Sequence, residues 1–215
     1  MDEDFASFLE EFGPVIDKRY VPSSTIERYR GKLPDQLISY WEEHGWCGYA
    51  DGLFWTVDPQ EYEPVLDAWI GDTEFMERDA YHVIARSAFG VLFFWGENTG
   101  SSLKILPSYA LAFPSTGAEE YILEGKADDA IRWFFSAKDR EYFDMEDDAE
   151  KPLFARALKK LGPLKPDEMY GFVPALAFGG SATLKNLQKV KAVEHLVFLA
   201  QLAPLQIMRS PFSRS

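Results

Sequence analysis

The chain has 215 residues, of which 47% are hydrophobic and 15% aromatic, enough apolar material for a core and too much for a chain disordered throughout. Its formal net charge of -13, from 35 acidic and 22 basic residues, argues against direct nucleic-acid binding, because a negative surface repels phosphates, and favours basic proteins as partners. A lone cysteine, Cys47, leaves no internal disulfide and fits a reducing compartment.

The N-terminus, Met1-Asp2-Glu3-Asp4, is acidic where a secretory leader is basic. Phe5, Phe8, Leu9 and Phe12 then recur at helical spacing, predicting an amphipathic helix over Asp2 to Phe12 that stops at Gly13-Pro14. Ser24-Thr25-Ile26-Glu27 matches the capping box, with Ser24 as cap of a short helix ending at Gly31. Another helix is expected from Pro34-Asp35 to Gly45, with Leu37, Ile38 and Trp41 on one face. A short apolar run, Leu53 to Val57, precedes a helix opened by Asp58-Pro59 and carrying Tyr62, Val65, Leu66 and Trp69.

Tyr81–Arg86, Val91–Trp95, Leu103–Leu106 and Tyr109–Phe113 are short β-forming runs separated by turn residues, the pattern of an antiparallel meander. Helices followed by strands predict an α+β fold. After a boundary near residues 114–126, helices are expected over Asp128–Phe135, Leu153–Leu161 and Val190–Leu202, the last with Val193, Leu196, Val197 and Ala200 at core spacing. Gly171 to Gly180 reads as a strand or an extended loop, with Ser181 or Thr183 capping a short helix after it. The apolar stretch Leu196–Met208 is interrupted by Gln201, Pro204 and Gln206 and falls short of the roughly 20 residues of a membrane span. The expected location is the cytoplasm, with no membrane contact.

No chemical motif stands up. His44 and Cys47 have H-x-x-C spacing but lack a second ligand pair for zinc. His82, Ser101 and Ser102 come without the G-x-S-x-G elbow. Gly179-Gly180-Ser181-Ala182-Thr183 lacks the phosphate-loop lysine pattern. Glu124-Gly125-Lys126 has the E-x-K spacing of metal-dependent nucleases, a cheap coincidence among so many carboxylates. No cofactor, metal or catalytic residue is expected.

The charge is unevenly spread. From Lys151 onward ten Lys and Arg face three Asp and Glu, a balance of +7, whereas the first 150 residues hold 12 against 32, or -20. The acidic front closes in Asp139–Glu150, with seven carboxylates against Arg140 alone and without the glycine of a calcium loop. Such a run is either a solvated loop or a contact surface. Read as a surface, its candidate contact residues are Asp139, Glu141, Tyr142, Phe143, Asp144, Glu146, Asp147 and Asp148, apolar anchors within a charged rim. Trp46 and Tyr49, expected in a loop, are two further aromatic anchors.

Two longer stretches carry a resemblance. Leu33-Pro34-Asp35-Gln36-Leu37-Ile38-Ser39-Tyr40-Trp41-Glu42-Glu43-His44-Gly45-Trp46, continuing through Gly52-Leu53-Phe54-Trp55-Thr56-Val57-Asp58-Pro59, resembles the bacterial GAD-like domain. Asp167-Glu168-Met169-Tyr170-Gly171-Phe172-Val173-Pro174-Ala175-Leu176-Ala177-Phe178-Gly179-Gly180, with Leu187 to Leu196, resembles the C-terminal domain of type VI secretion immunity proteins. The resemblance implies a GAD-like α+β domain over residues 1–115 and a smaller, mostly helical α+β immunity-type domain over 126–208. It also implies Trp41, Leu37, Phe172 and Leu176 in the core, and Gly45 and Gly52 at turns. Its implied function is binding: neutralisation of a cognate secreted toxin, often a DNase whose domain would be basic. Two other readings remain open on the residues, a regulatory or scaffold module that binds several proteins and a metal-dependent hydrolase.

Overall fold

The computed structural model describes residues 2–208; Met1 lies outside them. The first half runs α1 (Glu3–Phe12), β1 (Ile16–Arg19), α2 (Ser23–Tyr29), α3 (Asp35–His44), β2 (Trp46–Tyr49), β3 (Phe54–Thr56), α4 (Glu63–Ile70) and α5 (Glu74–Arg78). The meander β4 (Tyr81–Ser87), β5 (Leu92–Gly96), β6 (Gly100–Leu106) and β7 (Leu111–Pro114) follows. The rest is α6 (Glu119–Leu123), α7 (Ala127–Ser136), α8 (Phe154–Leu161), β8 (Glu168–Phe172), β9 (Leu187–Lys191), α9 (Ala192–Ala200) and β10 (Gln206–Ile207).

Local chemistry sets the helix ends. The Asp2 carboxylate accepts the Phe5 N–H at 3.0 Å, satisfying an orphan donor of α1, and its spacing buries Phe5, Phe8 and Phe12. Gly45 ends α3 with φ +72°, and a Cβ there would collide with the Arg19 carbonyl. The expected capping box does not form: α2 starts two residues earlier, at Ser23 after Pro22, with no side-chain cap. Proline's fixed φ sets that start without help from Ser24. The helix expected at Asp58-Pro59 begins only at Glu63, after turns in which Asp58 accepts the Gln60 N–H at 3.0 Å.

One eight-stranded sheet takes the order β1-β2-β3-β4-β5-β6-β7-β10, antiparallel except for the final β7–β10 pair. β8 and β9 form a separate antiparallel hairpin. Paired residues share a face of the sheet. Trp55, Arg86, Leu92, Ile105 and Ala112 are in direct register across one face, and Phe93, Lys104 and Phe113 across the other. The second face receives α1 and α7, where Phe54 and Phe93 meet Phe134 and Phe143. On the first face, Arg86 is fully buried. Its guanidinium lies over Trp55 and donates to the Pro166 and Glu168 carbonyls, both at 2.8 Å. The Trp69 indole of α4 donates to Leu196 O at 3.0 Å, tying α9 to the same layer.

The core therefore runs across the stretch at 114–126. α7, which lies after it, packs on α1 and α3 from before it, and β10 returns to the edge of the meander. In the last segment the expected helix over Val190–Leu202 is a strand up to Lys191 and a helix only from Ala192. Of the expected stripe Leu196 is fully buried and Val193, Val197 and Ala200 are half-buried against the core, while Ala192 and Leu199 are buried as well. Leu176 is likewise half-buried, with Phe172 and Ala175 taking the core positions. Neither Ser181 nor Thr183 caps a helix through its side chain; the short 3-10 turn Leu184–Asn186 follows Thr183 instead.

Candidate functional site

The acidic run does not extend into solvent as a featureless loop. Residues Glu141–Phe143 form a 3-10 turn whose Phe143 enters the core against Phe12 and Phe54. Asp144 then caps α8: its Oδ1 accepts the Phe154 N–H at 2.9 Å and the Met145 N–H at 2.6 Å. Burial pushes the Asp144 carboxyl above its ordinary pKa despite those donors. Asp147 accepts from Ala149, Lys151 and the Arg156 guanidinium, the last at 2.7 Å, and Arg156 holds it below the usual carboxylate range. Asp148 Oδ1 accepts the Ala182 N–H at 3.2 Å, joining the run to the segment before β9. Asp139 accepts the Tyr142 N–H at 3.0 Å. Glu141 and Glu146 are exposed, and their carboxylates make no hydrogen bond or ion pair among the described residues.

Arg140, Glu141, Asp144 and Glu146 of this run line a cleft of about 650 Å³. Ala50, Asp51 and Leu53 of the turn after β2 also line it, and Pro152, Phe154 and Leu158 of α8 and its approach supply its apolar part. Asp51, Glu141, Asp144 and Glu146 face the space with Arg140 as the cationic member. Ala50, Asp51 and Gly52 all have left-handed backbone, with φ of 48°, 56° and 92°. A non-glycine residue held there is strained, and the turn keeps exposed Asp51 at the rim while Ala50 stays buried. An apolar lining beside carboxylates suits a basic side chain with a long aliphatic stem.

The aromatic anchors need correction. Trp46 and Tyr49 lie in β2, only 4% and 1% exposed, and Phe143 is 2% exposed, so none of the three can meet a partner without unfolding. Of the four, Tyr142 alone reaches the surface, at 43% exposure. The missed contributors are Asp51, Leu53 and Leu158, far apart in sequence. The left-handed turn at Ala50–Gly52 is signalled only by its Ala-Asp-Gly composition.

The other motifs resolve as packing. His44 lies against the Phe5 ring and Cys47 Sγ is 3.9 Å from Thr56 Oγ1. His82 faces Glu97 at 2.9 Å, whereas Ser102 faces Thr99 and Tyr81. Glu124 and Lys126 pair with each other on the surface. Among the described residues no group of three or more His, Cys, Asp or Glu side chains is placed to hold a metal ion, and no helix is long and apolar enough to cross a membrane.

Residues 3–108 match the family model described as GAD-like domain, and residues 128–203 match that described as T6SS immunity protein Tdi1, C-terminal. The two matched segments follow one another along the chain, with residues 109–127 between them. The crystal structure of Atu4351 from Agrobacterium tumefaciens has the same fold, with a TM-score of 0.84 and 23% identity over 96% of this chain and 91% of that one. No curated protein matches the chain. The acidic cleft draws on both matched segments: Asp51 and Leu53 lie in residues 3–108, and Glu141, Glu146 and Leu158 in residues 128–203.

Proposed function

We propose that this protein is a type VI secretion immunity protein that binds a cognate antibacterial toxin in the cytoplasm and neutralises it without catalysis. The observation that carries the reading is the match of residues 128–203 to the C-terminal domain of the immunity protein Tdi1. The acidic cleft supports it, because carboxylates beside an apolar lining complement a basic protein surface. We read the toxin as a nuclease, whose substrate-binding groove is basic and is blocked by a negative competitor. Charge complementarity between the two raises the association rate, which suits an antidote that must act before damage accumulates.

The test is expression of the adjacent open reading frame with and without this chain. The expected outcome is growth arrest with DNA degradation from the neighbour alone, rescue on coexpression, and a 1:1 complex on gel filtration. A neighbour harmless by itself overturns the immunity reading; a toxic neighbour that leaves DNA intact overturns the nuclease assignment alone.

A further inference from the structure

Glu141 and Tyr142 are adjacent on one 3-10 turn but serve two depressions of opposite sign. Glu141 lines the acidic cleft, and Tyr142 lines a groove of about 350 Å³ bounded by β5, β6, β7 and the C-terminal end of α7. Lys104 Nζ lies 4.5 Å from the Tyr142 ring centroid and Lys138 Nζ 5.6 Å from it. Both ammonium groups therefore lie close to one ring, and neither forms an ion pair among the described residues. Lys138 donates to Phe134 O at 3.0 Å, which satisfies a carbonyl of the last turn of α7. Lys104 has no such role; it projects from a strand between Phe93 and Phe113. Burial, together with the Lys104 charge, lowers the Lys138 pKa to about 8.

Two like charges at one groove in a chain with 35 acidic residues lack the counter-charge that usually accompanies them. The groove continues into a second depression of about 270 Å³, which shares Ser101, Ser115, Phe134 and Lys138 and adds Tyr121 and Trp133. Trp133 is 58% exposed and lines the same depression as Lys138. No arginine lines either depression, so the planar fork that favours phosphate is missing.

We propose that this groove is a carboxylate site, taking an acid carried on an aromatic or aliphatic body. The carboxylate lies beside Lys104 and Lys138, and the body lies along Phe113 and Trp133. The acid arrives either free, as a small metabolite, or as a side chain of a bound protein; the recognition chemistry is the same.

The test is NMR titration of the labelled full-length protein at pH 7 with phenylacetate, benzyl alcohol, inorganic phosphate and the blocked peptide acetyl-Phe-Glu-Phe-amide. Phenylacetate is expected to give saturable shifts at Lys104, Lys138, Tyr142 and Trp133, with benzyl alcohol roughly tenfold weaker or more. Lys104→Gln, which leaves the Lys138 cap in place, is expected to weaken phenylacetate by about tenfold with an unchanged thermal melt. Tighter binding of the peptide than of phenylacetate assigns the acid to a protein partner, and the reverse order to a metabolite. Equal binding of benzyl alcohol, tighter binding of phosphate, the absence of saturable shifts, or wild-type affinity in Lys104→Gln each overturns the proposal. None of these readouts needs the toxin, so the site stands or falls apart from the immunity reading.

Discussion

Asp79 is a charged residue only 7% exposed that spends its charge on structure. Its carboxylate accepts from Ala80 N–H at 2.8 Å, Asn98 N–H and Nδ2 at 2.9 Å, and Thr99 Oγ1 at 2.7 Å, closing the turn between β5 and β6. Burial pushes its carboxyl up, but the donors outweigh it and hold the pKa below the ordinary value. A lowered folded-state pKa means that this stabilisation is present above the unfolded value near 3.8 and is lost as the pH falls through the folded value. Asp79→Ala is expected to cost about 3 kcal/mol in urea unfolding at pH 7, since several buried donors lose a charged acceptor. The difference from wild type should shrink below pH 4. At this scale the sequence marks Asp79 only as one acid among many, because its donors Asn98 and Thr99 are brought to it by strand pairing. The same limit explains Trp46, Tyr49 and Phe143: an aromatic residue beside glycine or charge has the composition of a binding loop, and burial is decided by what packs over it.

Among the elements, the strongly periodic ones were legible. α1, α3, α7 and α8 lie within about a residue of their expected ends, because buried stripes and glycine stops are local signals. The four meander strands follow for the same reason. β1, β2, β8, β9 and β10 carry no such local signal, being short and formed by pairing with other strands. The acidic segment 139–150 belongs here too, since composition leaves it either a solvated loop or a contact surface and conceals that Asp144, Asp147 and Asp148 are structural acceptors. Neutralising them should therefore act on the fold. Asp144→Ala is expected to destabilise the protein by about 1 kcal/mol through loss of the α8 cap, read by thermal melting. The pair Glu141→Gln with Glu146→Gln should leave the melt unchanged and slow toxin association by about threefold or more in stopped-flow. An unchanged association rate removes the cleft rim from the toxin contact.

For the whole molecule, the charge split and the shared core govern behaviour. The first 150 residues carry -20 and the remainder +7, and the acidic cleft joins both parts of the chain. Association with a basic partner should slow steeply as salt rises from about 50 to 500 mM, while dissociation changes far less. A rate independent of salt would mean that the contact is apolar and lies outside the acidic cleft.

The sequence by itself determined the α+β class, the acidic character and most of the helical faces, because periodicity and charge are properties of neighbouring residues. Tertiary structure alone decided that α7 and β10 complete the core and sheet of the first segment. It also decided which carboxylates bind backbone, and that one turn holds Glu141 at an acidic cleft and Tyr142 close to two lysines. The physical reason is common to all three. Pairing and packing partners lie tens of residues apart, and no local pattern records which distant group will supply a donor, a wall or a counter-charge.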